Sequence, residues 1–276
     1  MSKALRIFQG SFGRVALLDM TAPLVVHAHS QCHVLLKSSG ADTLFRVRGR
    51  SCYLSEDTAV LINTWEPHAY THQPGAPQTL ILALYIEPYW LSAIDGHFRS
   101  SAHPRFFPEP CVSLTPPVKR LAQRLTAEML ADGELDEQTL ESLMCSVIMH
   151  FSGFRSLDGA PAASPLFSDY RIRKAIAYMK ANPRGSYEIN QLSAVAGLSR
   201  PHFFAMFRRC TAMTPAVFAN VLRVETAVAA LAQGEDSIGA LSAELGFDAQ
   251  SHFTRFFRHH LGITPSDYRR VVNLVN

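Results

Sequence analysis

Histidine supplies the first candidate chemistry in this chain. His27-Ala28-His29 sets two imidazoles two positions apart, and alternation along a strand would turn both to one face. His33 follows four residues after His29, and His68, Tyr70 and His72 repeat the alternation after the Trp65-Glu66-Pro67 turn. The imidazoles of His27, His29, His33 and His68 form an all-nitrogen set suited to a divalent Zn, Ni, Cu or Fe ion. The same side chains, with Tyr70 and His72, would serve equally as the hydrogen-bonding lining of a small-molecule pocket. Both readings, and a purely structural role, stay open at this point. Cysteine offers less: Cys32, Cys52, Cys111, Cys145 and Cys210 contain no CxxC pair, and Cys32 alternates away from His33.

Arginine on repeated helices supplies the second chemistry. Leu192-Ser193-Ala194-Val195-Ala196-Gly197 returns 49 positions later as Leu241-Ser242-Ala243-Glu244-Leu245-Gly246. His202-Phe203, Phe207-Arg208 and Thr214-Pro215 return 50 positions later as His252-Phe253, Phe257-Arg258 and Thr264-Pro265. Each copy reads as a short helix, a glycine turn and a second helix ending before Thr-Pro, which is a helix-turn-helix. Phe253, Phe257 and Leu261 form one apolar stripe, as do Phe203 and Phe207, leaving Ser251, Arg255, Arg258 and His259 opposite in the second copy. Such a helix suits the major groove of double-stranded DNA. Arg255 is the first candidate for base readout because guanidinium can donate bidentately to guanine, with Ser251 and Gln250 one turn earlier and His252 and Arg258 beside them. The first copy offers Pro201 and Ala205 at the outward positions, so Arg200, His202, Arg208 and Arg209 suit phosphates, and Ala205 a thymine methyl.

Around these groups the chain divides into parts. Residues 1–112 carry short β-rich runs punctuated by Gly40, Gly49, Asn63, Pro67 and Pro74-Gly75, the pattern of a small barrel or jelly roll. Residues 113–157 read as two helices. In the first, Val118, Leu121, Leu125 and Met129 form a narrow stripe suited either to a helix pair between subunits or to packing on the barrel. The acidic turn Asp132-Gly133-Glu134 separates it from the second helix, which begins near Glu137. Residues 158–165 are linker, and 166–276 form an all-α unit with its motifs at about 188–210 and 238–260. A first helix is expected over Tyr170 to Ala181, and Pro215 to Leu231 reads as a rod of about 25 Å holding the two motifs roughly one DNA turn apart. The fold class expected is therefore mixed multidomain: all-β barrel, helical middle segment, all-α tail.

Net charge is +3 for 276 residues, but from Ser164 onward 13 Lys and Arg stand against 8 Asp and Glu. The basic excess thus lies with the repeat, as phosphate contacts require. So small a charge argues against a non-specific DNA-compaction protein. With no leader-like segment and no long uncharged apolar run, the expectation is a reduced, cytoplasmic chain with no membrane role.

The run Arg223-Val224, Ala227, Ile238, Leu241-Ser242, Gly246-Phe247-Asp248, Ser251 to Arg258, Gly262-Ile263-Thr264-Pro265 and Tyr268-Arg269 resembles the signature of AraC/XylS transcription regulators. One departure is Ala212, where the family has glycine; it implies a different cap geometry at the end of the first reading helix. The histidines resemble the cupin pattern, with His33 standing where that pattern has glutamate. The resemblance implies a cupin-like sensor for a small-molecule effector, a homodimer formed through the middle helices, and contact with RNA polymerase as an activator; repression is equally compatible with the residues. A metal-dependent cupin enzyme is the alternative function, supported by the histidine cluster alone.

Overall fold

A computed structural model describes residues 2–73, 75–94, 98, 106–131, 136–151, 169–182, 187–234 and 236–274. The expected Asp132–Glu134 turn and the linker over 158–165 lie outside these residues. The N-terminal strands are β1 (Lys3–Gly10), β2 (Gly13–Met20), β3 (Leu24–His27), β4 (Cys32–Gly40), β5 (Thr43–Val47), β6 (Arg50–Leu54), β7 (Thr58–Ile62), β8 (His68–Thr71) and β9 (Thr79–Ile86). Helix α1 (Pro88–Ile94) and strand β10 (Cys111–Ser113) follow. One sheet runs β10-β7-β4-β9-β2-β1-β11 and the other β3-β8-β5-β6, where β11 (Val272–Leu274) is the C-terminal end of the chain. Alternation gives the seven-stranded sheet two apolar faces. One, including Val15, Leu17, Cys32, Val34 and Leu84, packs under α1, α2 (Pro116–Leu130) and α3 (Glu137–Phe151). The other, including Ala16, Leu35, Val60, Ala83 and Tyr85, meets Phe45, Val47, Leu54 and Tyr70 of the second sheet.

The stripe on α2 is therefore consumed within the chain. Val118, Leu125 and Met129 are fully buried against the barrel and α3, so they offer no free face to a second subunit, contrary to one of the two expectations. Ser11 donates to Glu137 and Glu141 of α3, and Trp90 Nε1 donates to Glu141 at 2.7 Å.

The C-terminal helices are α4 (Tyr170–Ala181), α5 (Ile189–Ala196), α6 (Arg200–Thr211), α7 (Pro215–Gln233), α8 (Ile238–Glu244), α9 (Gln250–Leu261) and α10 (Pro265–Val271). The repeated Thr-Pro is a helix start: Thr214 and Thr264 accept from the backbone N–H of Val217 and Asp267, and proline opens each helix without wasting a donor. The repeated glycine is a helix stop. Leu198 N–H bonds Ser193 C=O at 2.9 Å and Phe247 N–H bonds Ser242 C=O at 3.0 Å, closing both turns alike. Phe203, Phe207, Phe253 and Phe257 are all fully buried.

Ala212 corrects the cap expectation. It takes the left-handed conformation (φ 57°, ψ 7°) and its N–H bonds Arg208 C=O, the same geometry that Gly262 (φ 78°) makes to Arg258. Alanine is thus accommodated with strain rather than by a different cap. Gly262 has a further constraint, because a Cβ there would sit 3.2 Å from Leu24 Cδ2 and 3.4 Å from Met20 Cε on the barrel. Ala212 is exposed and has room.

Barrel and tail are packed together. β11 runs parallel to β1, pairing Ile7 with Val272 and Gln9 with Leu274. Tyr268 on α10 donates to Gln9 Oε1 at 3.1 Å and accepts from Arg14 at 3.3 Å. Trp65, held at φ 57°, stacks on Phe218 of α7 with ring centroids 5.0 Å apart.

Candidate functional site

Two constellations carry chemistry. The first is the outer face of α6 and α9. Arg200, His202, Ala205, Arg208 and Arg209 on α6 are exposed, as are Gln250, Ser251, His252, Arg255 and Arg258 on α9. None of their arginines pairs with a carboxylate among the described residues, so each guanidinium is available to a phosphate or base. Pro201 sits in the first turn of α6, where it starts the helix. The aromatic residues that fix each helix lie on the opposite side: Phe207 packs edge-on to Phe218 of α7, and Phe257 edge-on to Tyr268 of α10.

The second constellation is buried where the barrel meets the tail. β3 stops at His27, so His29 lies just beyond the strand and not within it. The imidazoles converge nevertheless, because His27 pairs with His68 across β3 and β8. Ring centroids are 4.3 Å apart for His27–His68, 4.9 Å for His27–His29 and 5.0 Å for His29–His68. Candidate ligand atoms of these three all lie within 4.8 Å of one another. His33 stands to one side, stacked on Tyr85 with centroids 4.0 Å apart. Tyr70 and His72 pair with each other, hydroxyl to Nδ1 at 3.1 Å, and His72 does not join the cluster. Cys32 faces the other side of the sheet, where burial pushes its thiol up to about 12.

Backbone carbonyls orient the cluster. His27 Nδ1 lies 2.7 Å from Val25 C=O and His68 Nδ1 lies 2.9 Å from Glu66 C=O. A carbonyl only accepts, so each Nδ1 carries the proton and each Nε2 keeps its lone pair. The Nε2 atoms of His29 and His68 are buried with no hydrogen-bond partner, a cost of about 1–3 kcal/mol each. Burial, reinforced by the charge of His68, lowers His27 to about 3; burial lowers His68 to about 4. Burial and the neighbouring imidazoles hold His29 and His33 well below the usual histidine range. All four are neutral at pH 7 and ready to donate a lone pair.

Sequence reading missed the groups that face His27 and His29 from the tail. A narrow cleft is lined by His27, Ala28 and His29 from the barrel, by Val221, Val224 and Glu225 of α7, and by His260 and Leu261 of α9. His260 is buried with its Nδ1 unpartnered, and burial, then the charge of His27, lowers it to about 4. Glu225 accepts from Ser30 N–H at 2.8 Å, and its carboxyl is raised by burial. His260 had a signal, since it falls three residues after Phe257 on the apolar stripe. Glu225 had none. Arg14 lies under the cluster, 3.7 Å over the Tyr85 ring; burial opposes its charge, and Tyr268 and Tyr85 more than offset that.

The model of an AraC-like ligand binding domain matches residues 24–148, and the model of a helix-turn-helix domain matches residues 192–271. The chain belongs to the AraC family. Its relatives are transcription regulators. An uncharacterized HTH-type transcriptional regulator from Haemophilus influenzae is 30% identical over 106 residues, covering 38% of this chain and 36% of that protein. The chain thus spans little more than a third of that relative. The probable transcriptional regulator LumQ from Photobacterium leiognathi is 23% identical over 263 residues, covering 93% of this chain and 95% of its own length. The fold is shared with ToxT from Vibrio cholerae in its unsaturated fatty acid bound form, at a TM-score of 0.57, 12% identity, and coverage of 98% of this chain and 95% of that one.

Proposed function

We propose that this chain is a sequence-specific DNA-binding transcription regulator. In this reading its barrel senses a small molecule or metal and passes the signal to the paired reading helices. The observation that carries this is the doubled helix-turn-helix, with unpaired arginines on the outer faces of both α6 and α9 and a single helix, α7, joining them. Arg255 is assigned to base readout, with Ser251 and Gln250 as its neighbours; Arg208, Arg209, Arg200 and Arg258 are assigned to phosphates. The effector site is the cleft between barrel and tail. The fatty acid of the ToxT structure would meet neutral imidazoles and the Glu225 carboxyl there, with no cation among the lining residues, so this cleft suits an electron-pair acceptor better than a carboxylate. Cytoplasmic location, contact with RNA polymerase and a homodimer belong to the same proposal. Leu130 and Met149 are the large apolar side chains that α2 and α3 leave exposed to a second copy. A catalytic role for the histidines has no support in the relatives.

Selection of randomised duplex DNA by the full-length protein tests the reading. The expected outcome is a motif of two boxes about one helical turn apart. Arg255→Ala should cost about 1–3 kcal/mol at one base position and relax the preference there. Equal weakening on every sequence would remove Arg255 from base readout, and no enriched motif at all would remove the regulator.

A further inference from the structure

We propose that His27, His29 and His68 hold a divalent transition-metal ion, and that His260 of the second reading helix completes its coordination, so that the metal ties the DNA-reading tail to the barrel. The regulatory half of this inference rests on the DNA-binding reading above; the metal site itself does not.

Four observations converge on it. Three imidazoles present candidate ligand atoms within 4.8 Å of one another in a buried site. A tetrahedral ion with nitrogen ligands at about 2.0–2.1 Å needs them about 3.4 Å apart, so closure by at most about 1.4 Å brings these three to ligand spacing. Two of the three rings have Nδ1 donating to a backbone carbonyl, the arrangement that fixes the tautomer and aims Nε2 at a metal. The Nε2 atoms of His29 and His68 have no partner within the protein. Lastly, His260 of α9 lines one cleft with His27 and His29, is 7% exposed and has an unpartnered Nδ1. Glu225, the other polar side chain entering from the tail, accepts from the Ser30 amide through Oε1. The ligand set is all imidazole, which favours Zn, Ni, Cu or Co over Mg or Ca.

The consequence follows from where His260 sits. It belongs to the helix that carries Ser251, Arg255 and Arg258, and those residues stay exposed while His260 is buried against the barrel. A metal bridge would therefore fix α9 in place without covering its DNA face. Loading stabilises the docked arrangement by binding it better than the undocked one.

The test uses the full-length protein stripped with a chelator and dialysed. Zinc titration followed by elemental analysis should give one ion per chain and a raised Tm, and cobalt should give the visible bands of a tetrahedral site. His68→Gln should lose at least 10-fold in zinc affinity, whereas His72→Gln, outside the cluster, should bind like the parent. His260→Gln should still bind zinc, more weakly, but lose the zinc-dependent gain in affinity for the selected DNA, which in the parent should be about 5-fold or more. No stoichiometric zinc in the parent, or unchanged binding in a folded His68→Gln, overturns the metal site. A parent whose DNA affinity does not rise with zinc, or a His260→Gln protein that responds fully, overturns the bridge. If no DNA motif is ever selected, the regulator fails while stoichiometry and Tm still decide the metal site.

Discussion

At the scale of single residues, the ends of the two reading helices form a natural comparison. Both caps are left-handed, but one is alanine and the other glycine. An L side chain in that region is strained by about 1–2 kcal/mol, so Ala212→Gly should relieve strain, partly offset by the greater freedom glycine gives the unfolded chain. The expected net gain is about 0.5–1 kcal/mol, read as a higher urea midpoint at unchanged slope. Gly262→Ala should go the other way and further, by about 1–3 kcal/mol, because the added methyl meets Leu24 as well as an unfavourable φ. Equal effects of opposite sign would mean that the barrel contact at Gly262 contributes nothing. The pair also shows why a departure from a family pattern is hard to interpret from sequence: the residue type was legible, but the exposure that lets alanine survive was not.

At the scale of elements, α6 and α9 share a fold and differ in outer chemistry. The first has Ala205 where the second has Arg255, so α6 should hold the DNA and α9 should read it. Arg208→Ala should lower affinity by a similar factor on every sequence and reduce the slope of log affinity against log salt by about 1. A loss confined to particular sequences, measured by salt titration on matched and scrambled duplexes, would reverse that division. These helices were readable because aromatic spacing, a turn glycine and Thr-Pro each have a local physical cause, and all recur. The limits of α4 and α7 were readable for the same reason. β1, β10 and β11 were not, since the last two are three residues each and pair with strands remote in sequence. The α2 stripe was ambiguous because a narrow apolar face does not name its partner. Of the histidine site, the HxH alternation was visible, whereas Glu225 and His260 arrive from helices some two hundred residues later and no local pattern announces them.

At the scale of the whole molecule, the barrel holds each half of the tail by a different handle. The first motif shares its core with Ala28 and Trp65, and the second shares its core with the inner face of the barrel. Trp65 is the main handle on the first: its ring stacks on Phe218, and Lys180 Nζ lies 4.9 Å from the ring. Arg14, Tyr268 and the β1–β11 pairing form the handle on the second. Two motifs gripped by one body have a fixed separation, and a two-box site of matching spacing is then bound without the entropy loss of aligning them. Trp65→Ala should cost about 3 kcal/mol of packing and release the first motif while leaving its own aromatic core intact. Affinity for a two-box duplex should then fall, and the penalty for changing the box spacing by a few base pairs should shrink, whereas binding to a single second-motif box should be unchanged. Measured by fluorescence anisotropy on a spacing series, an equal loss on all duplexes would mean that Trp65 supports the fold and not the spacing, and α7 alone would have to set the distance between the boxes.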